Sequence, residues 1–110
     1  MRVVQIVFSP TGGTQKVADA FTSRLGASVE KIDLSDPKAD FAAVNLAKED
    51  IAVIAVPSFG GRVPALATER LEKIPGNKAR CVAVCVYGNR AYEDTLIELS
   101  DTAKKSGFQV

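Results

Sequence analysis

The sequence predicts a three-layer α/β fold, one parallel sheet with helices on both faces, and three observations carry that reading. Short runs rich in valine and isoleucine alternate with amphipathic stretches along the whole chain, which is the pattern of strands joined by helical crossovers. Two of those runs, Ile51 to Val56 and Cys81 to Tyr87, are apolar at every position, as parallel strands buried on both faces require. Glycine and proline mark the boundaries, with no internal repeat or low-complexity tract between them.

Val3 to Phe8 reads as the first strand. Val17, Ala18, Phe21 and Leu25 then recur at helical spacing and form the expected inner face of a first helix, which Gly26 closes. Val29 to Leu34 alternates with Glu30, Lys31 and Asp33, a more polar strand suited to a sheet edge, and Pro37 ends it. Asp40 to Lys48 carries Phe41, Val44 and Leu46 and fits either a short helix or a packed loop. Ile51 to Val56 is the third strand, stopped by Pro57. Pro64 suits the first turn of a second helix, whose inward stripe is Leu66, Ala67, Leu71 and Ile74 and which Pro75-Gly76 ends. Cys81 to Tyr87 is the fourth strand; Tyr92, Leu96, Leu99 and Ala103 form the inner face of a third helix, closed by Gly107. Phe108-Gln109-Val110 reads as the opening of a further strand. Right-handed crossovers make the sheet parallel, so ligands are expected beyond the carboxyl ends of its strands.

Composition removes several functions. A chain of 110 residues that is 46% hydrophobic is one small domain, residues 1–110, with little core to spare. Fourteen basic against 13 acidic residues, without a basic cluster, lack the electrostatic footprint of nucleic-acid binding. No apolar run approaches the roughly 20 residues that span a bilayer, and the first eight residues do not read as a signal peptide, so the cytoplasm is the expected location. Without histidine there is no Ser-His-Asp or Cys-His nucleophile and almost no route to a zinc site. Cys81 and Cys85 are too few for an iron–sulfur cluster and, at about 13 Å apart on a strand, too distant for a disulfide. They read as small buried apolar residues. No catalytic residue and no metal ligand is assigned.

The chemistry therefore falls to the three loops that follow apolar strands. Ser9-Pro10-Thr11-Gly12-Gly13-Thr14 offers hydroxyls, two glycines that permit close backbone approach, and the free N–H groups of a helix start, a phosphate cradle without a lysine or arginine in it. A Gly-Lys-Ser/Thr ending and the G-x-G-x-x-G fingerprint are both absent, which excludes the P-loop and the dinucleotide motif. Phe59 and Tyr92, in or beside the other two loops, could flank a flat aromatic ligand or else pack into the core. A phosphate and a planar ring together suggest a mononucleotide.

Taken together, the loops resemble those of the flavodoxins. Ser9 to Thr14 is similar to the flavodoxin phosphate loop, Ser/Thr-x-Thr-Gly-x-Thr, with Gly13 where asparagine is frequent. Pro57-Ser58-Phe59-Gly60-Gly61-Arg62-Val63-Pro64 resembles the second flavin loop and Tyr87-Gly88-Asn89-Arg90-Ala91-Tyr92-Glu93-Asp94 the third. The resemblance covers essentially the whole chain. It is nearest to the flavodoxin module that some bacterial proteins carry ahead of a two-cluster ferredoxin module, although no cluster-binding cysteine motif is present here.

The resemblance implies FMN as cofactor, electron transfer as function, and a redox partner such as a ferredoxin domain or a reductase. It assigns the phosphate to Ser9, Thr11, Gly12, Gly13 and Thr14. It places the isoalloxazine between Phe59 and Tyr92, with Ser58, Gly60, Gly61, Gly88, Asn89 and Arg90 around it. Phe59 stands where an aromatic with a hydroxyl is common, so a hydrogen bond is lost. The family order 2-1-3-4-5 continues through a fifth strand and a final helix, roughly 30 residues more. This chain is accordingly expected to be a fragment, with sheet order 2-1-3-4 and an incomplete or missing fifth strand. Its fourth strand would then be a bare apolar edge, expected to drive homo-oligomer formation. Two other readings stay open: a non-redox phospholigand-binding module, and a truncated fragment that associates without binding flavin.

Overall fold

The computed structural model describes residues 2–10, 12–25, 29–57, 63–86 and 92–110, without the side chains of residues 25 and 92–95. Four strands, β1 (Val3–Val7), β2 (Val29–Asp33), β3 (Ile51–Pro57) and β4 (Arg80–Val86), pair in parallel in the order β2-β1-β3-β4. Three helices, α1 (Gly13–Thr22), α2 (Ala65–Leu71) and α3 (Tyr92–Lys105), lie between and after them. The predicted three-layer α/β architecture and strand order are therefore observed. No helix among the described residues is long and apolar enough to cross a membrane.

Strand periodicity sorts the core. Val4 and Ile6 of β1, Ala52, Ile54 and Val56 of β3 and Cys81 of β4 share one face, and Ala67, Leu71, Ile74, Leu99, Ala103 and Phe108 cover it. On the other face Val7 and Ala55 pack with Ala18 of α1, and half-buried Val84 borders them. β2 is the polar edge, as its alternation predicts. The 40–48 segment is mostly a packed loop around one 3-10 turn, Phe41–Ala43, with Phe41 and Leu46 buried. Cys81 is buried, Cys85 is half-buried, and both are free thiols.

Helix α1 turns inward a face that shares Ala18 with the predicted one but not Val17 or Phe21, while the side chain of Leu25 lies outside the description. Thr14, Ala18 and Thr22 are buried, whereas Val17 and Phe21 are 41% and 38% exposed. The cause lies in the strand below. Gln5 is buried at the middle of β1, and its Nε2 donates to Thr22 Oγ1 at 2.8 Å and to Asp19 Oδ1 at 3.1 Å. Gln15 Nε2 in turn donates to Gln5 Oε1 at 2.7 Å and to Asp19 Oδ1 at 2.9 Å. An unpaired buried amide costs about 1–3 kcal/mol, so the helix presents its polar flank to β1 and leaves Val17 and Phe21 outside. After Thr22 the chain tightens into a 3-10 turn, Ser23–Leu25, and Gly26 lies outside the described residues. Leu66 is likewise 43% exposed instead of inward, and Pro64 stands as the N-cap of α2, just before its first turn.

At the other end Gly107 closes α3 as expected. With φ +96°, it donates its N–H to the Lys104 carbonyl while Phe108 N–H reaches the Ala103 carbonyl, the paired bonds of a Schellman motif. That turn drives Phe108 into the core and lays Gln109 against β4. Gln109 N–H donates to the Ala79 carbonyl at 2.8 Å, and its own carbonyl accepts from Cys81 N–H at 2.7 Å. The edge expected to be bare from Cys81 onward is thus paired at its first residue by a single parallel bridge, Arg80 to Gln109. Gly76 makes this possible, because a Cβ there would stand 2.4 Å from Phe108 N.

Candidate functional site

Because the four strands are parallel, the connections leaving β1, β3 and β4 all start at one edge of the sheet. The loop after β1 lies within the described residues except for Thr11. Phe8 N–H still bonds to the Ala55 carbonyl, but Ser9 N–H turns away from the sheet and donates to Ser35 Oγ at 3.0 Å. Ser35 follows β2, and its own N–H donates to Asp33 Oδ1 at 2.8 Å. The Ser9 carbonyl accepts from Gly12 N–H at 3.4 Å and the Ser9 hydroxyl accepts from Gln15 N–H at 3.0 Å. Ser9 therefore caps α1 through its oxygen and keeps its hydroxyl proton for another acceptor.

Gly12 is the N-cap residue, with φ +90° and ψ −14°, a left-handed conformation that favours glycine. Its carbonyl accepts the first helical bond, from Lys16 N–H at 3.2 Å. Among the described residues, nothing accepts from the N–H groups of Gly13 and Thr14. A Cβ built at Gly12 or at Gly13 would meet no atom within 4 Å. Among the described residues, the helix start thus combines two donors without an acceptor, open space at Gly12 and Gly13, and the positive end of the helix dipole, with buried Thr14 at its base. This arrangement fits a phosphate group without an ion pair.

Of the predicted phosphate residues, the structure brings together Ser9, Gly12, Gly13 and Thr14; Thr11 lies outside the described residues. So do Ser58, Phe59, Gly60, Gly61 and Arg62 of the second loop and Gly88, Asn89 and Arg90 of the third. Tyr92 opens α3, with its side chain outside the description. Two neighbours escaped the sequence reading. Ser35 could have been found from strand order, which sets the ends of β1 and β2 side by side. Glu98 of α3 accepts from Val63 N–H at 2.9 Å, a contact across 35 residues with no local signature. Val63 and Glu98 line a cleft of about 810 Å³ that runs from Phe8 along α2.

No family model and no curated protein matches this sequence. Solved structures do. A flavoprotein from Lactobacillus acidophilus in complex with FMN superposes with a TM-score of 0.73 at 13% identity, over 99% of this chain and 89% of that one. The fold is flavodoxin-like. A flavodoxin from Fusobacterium nucleatum bound to flavin mononucleotide gives 0.72 at 14% identity, over 99% of this chain and 68% of that chain. A flavodiiron core from Synechocystis gives 0.71 at 21% identity, with 99% of this chain matching 28% of that one. Within the flavodoxin-like sheet, the open helix start stands at the end of β1, between β2 and β3.

Proposed function

We propose that the chain binds FMN and acts as an electron-transfer domain, with the phosphate held by residues 9–14. The observation that supports this reading is the pair of N–H groups at Gly13 and Thr14 that no described residue accepts from, with no described atom within 4 Å of a Cβ at Gly12 or Gly13, in a fold whose solved relatives include FMN complexes. The phosphate would accept from those two groups and from the Ser9 hydroxyl, and the resemblance adds the hydroxyls of Thr11 and Thr14. The same resemblance gives the ring to Phe59 and Tyr92, with Ser58, Gly60, Gly61, Gly88, Asn89 and Arg90 around it. Bound FMN supplies the redox chemistry. The protein's part is to bind, to orient and to set the electrostatic surroundings, and no side-chain acid or base is required of it. The partner in this reading is another redox protein, such as a ferredoxin domain or a reductase. A second copy along β4 beyond Cys81 is its oligomeric element.

Parallel titrations with FMN and riboflavin test the proposal. Hydrogen bonds to a charged acceptor contribute about 1.5–3 kcal/mol each, so two of them should make FMN bind about 100- to 10,000-fold more tightly than riboflavin. Equal affinities would remove the phosphate site. Binding of phosphorylated compounds without flavin would instead identify a phospholigand module.

A further inference from the structure

We infer that Gln15 is a positioning residue for the phosphate: its backbone N–H holds the Ser9 hydroxyl oxygen while its side-chain amide, bonded to Gln5 and Asp19, fixes the first turn of α1 on the sheet. The inference rests on the reading of residues 9–14 as the phosphate site. Gly12, the N-cap, makes no side-chain cap, and Gln15 is the third helical residue, whose N–H an N-cap oxygen ordinarily takes. Ser9 Oγ takes it instead, at 3.0 Å. A glutamine at this position commonly folds back to the N-cap N–H. Here that N–H is bonded to the Ser9 carbonyl, and Gln15 Nε2 donates to Gln5 Oε1 at 2.7 Å and to Asp19 Oδ1 at 2.9 Å.

The orientation of these amides follows from Asp19. Its Oδ1 lies 3.1 Å from Lys31 Nζ, and the amide of Gln5 first, then that of Gln15, holds its carboxyl below the usual range. An ionised carboxylate only accepts, so both glutamines must turn their NH2 groups toward it. Gln15 gives its second N–H to Gln5 Oε1, and Gln5 gives its second to Thr22 Oγ1, whose own proton goes to the Ala18 carbonyl. Every amide proton has one acceptor. Within the first turn, Gln15 is the residue whose side chain bonds to β1. The Ser9 hydroxyl and the Gly13 and Thr14 amides therefore keep their spacing through one side chain outside the cradle.

Gln15→Met, which removes both donors at similar length, tests this in the full chain, with Asp19→Ala as a second variant. Four quantities are read: FMN affinity, riboflavin affinity, the inhibition constant of inorganic phosphate against FMN, and the Gly13 and Thr14 amide resonances during a phosphate titration. Gln15→Met should weaken FMN and inorganic phosphate by about tenfold and shift both resonances less at equal phosphate. Riboflavin, which has no phosphate to misplace, should keep its affinity. Asp19→Ala removes one of the two Gln15 bonds and should weaken FMN about threefold. Loss of a negative charge would by itself strengthen phosphate binding, so the two effects have opposite signs.

If the unmodified chain prefers FMN to riboflavin and Gln15→Met keeps that preference undiminished, the positioning role is overturned and the FMN reading stands. Parallel losses of FMN and riboflavin would show a general loss of structure and also overturn it. If the unmodified chain binds FMN no more tightly than riboflavin, or binds neither, the phosphate reading fails first and takes the inference with it. Should Gln15→Met fail to fold, Asp19→Ala decides: FMN bound as tightly as by the unmodified chain, or more tightly, overturns the role.

Discussion

The amide of Ser9 donates to the hydroxyl of Ser35 at 3.0 Å, joining the loop after β1 to the turn after β2. Ser35→Ala removes the acceptor and should cost the loop about 0.5–1.5 kcal/mol of order. FMN affinity should fall roughly three- to tenfold by calorimetry, while the unfolding midpoint shifts by only a few degrees. An unchanged affinity would mean that the β2 turn does not shape the phosphate loop.

Gly12 and Gly13 should respond oppositely to alanine. Gly12 is left-handed at φ +90°, so Gly12→Ala should destabilise the fold by about 1–2 kcal/mol in urea unfolding. Gly13 is the first helical residue and has open space around it. Gly13→Ala should leave stability unchanged or raise it by about 0.5 kcal/mol, yet reduce FMN affinity by placing a methyl at the mouth of the cradle. A Gly13→Ala variant with full affinity would move the phosphate elsewhere.

Asp50 contributes to the acid limb of stability. It accepts from Ala47 N–H at 2.9 Å and from the Arg2 guanidinium at 2.7 and 3.3 Å. The Ala47 amide first, and then Arg2, hold its carboxyl below the usual range against the opposing effect of burial. A carboxyl lower in the folded than in the unfolded chain, where it is near 3.9, adds stability that is fully present above about pH 4. That stability is lost as pH falls through the folded value. Asp50→Asn should therefore cost about 1.5–3 kcal/mol at pH 7 and flatten the fall in stability below pH 4. Urea midpoints measured from pH 2.5 to 7 would show it, and parallel profiles for the two proteins would refute it.

Burial pushes the Cys81 thiol up to about 11 and raises that of Cys85 as well. At pH 8 only about one Cys81 in a thousand would be thiolate, the reactive form. Native protein should alkylate slowly with iodoacetamide, at half-buried Cys85 before buried Cys81, and both should react rapidly in urea. Faster labelling at Cys81 would show that β4 opens.

Most of the fold was legible because strands buried on both faces have no polar positions to confuse the pattern. Ile51–Pro57 and Arg80–Val86 follow their apolar runs within a residue. Helix α1 was misread because periodicity counted apolar side chains alone, and Val17 and Phe21 outweigh Thr14 and Thr22 in that count. A glutamine inside β1 was the available warning, since a buried amide must be answered by polar groups on whatever covers it. The glycine-led helix start after β1 was legible from local composition, as Gly12 and Gly13 follow directly on a buried strand. Ser35 was legible only through the strand order that sets β2 beside β1, and Glu98 not at all, because its contact joins residues 35 positions apart with no local signature.

The glutamine under α1 has a consequence for aim. Apolar packing fixes how closely a helix lies on a sheet but tolerates some roll about its axis, whereas hydrogen bonds are directional. Gln5 is bonded to Gln15 near the start of α1 and to Thr22 at its end, so the helix is keyed to the central strand at two points, like a shaft with two pins. The amides of Gly13 and Thr14 ride on that shaft. Their bearing is set by a side chain in the middle of the sheet, and a leucine at position 5 could fill the same space while letting the donors drift off target.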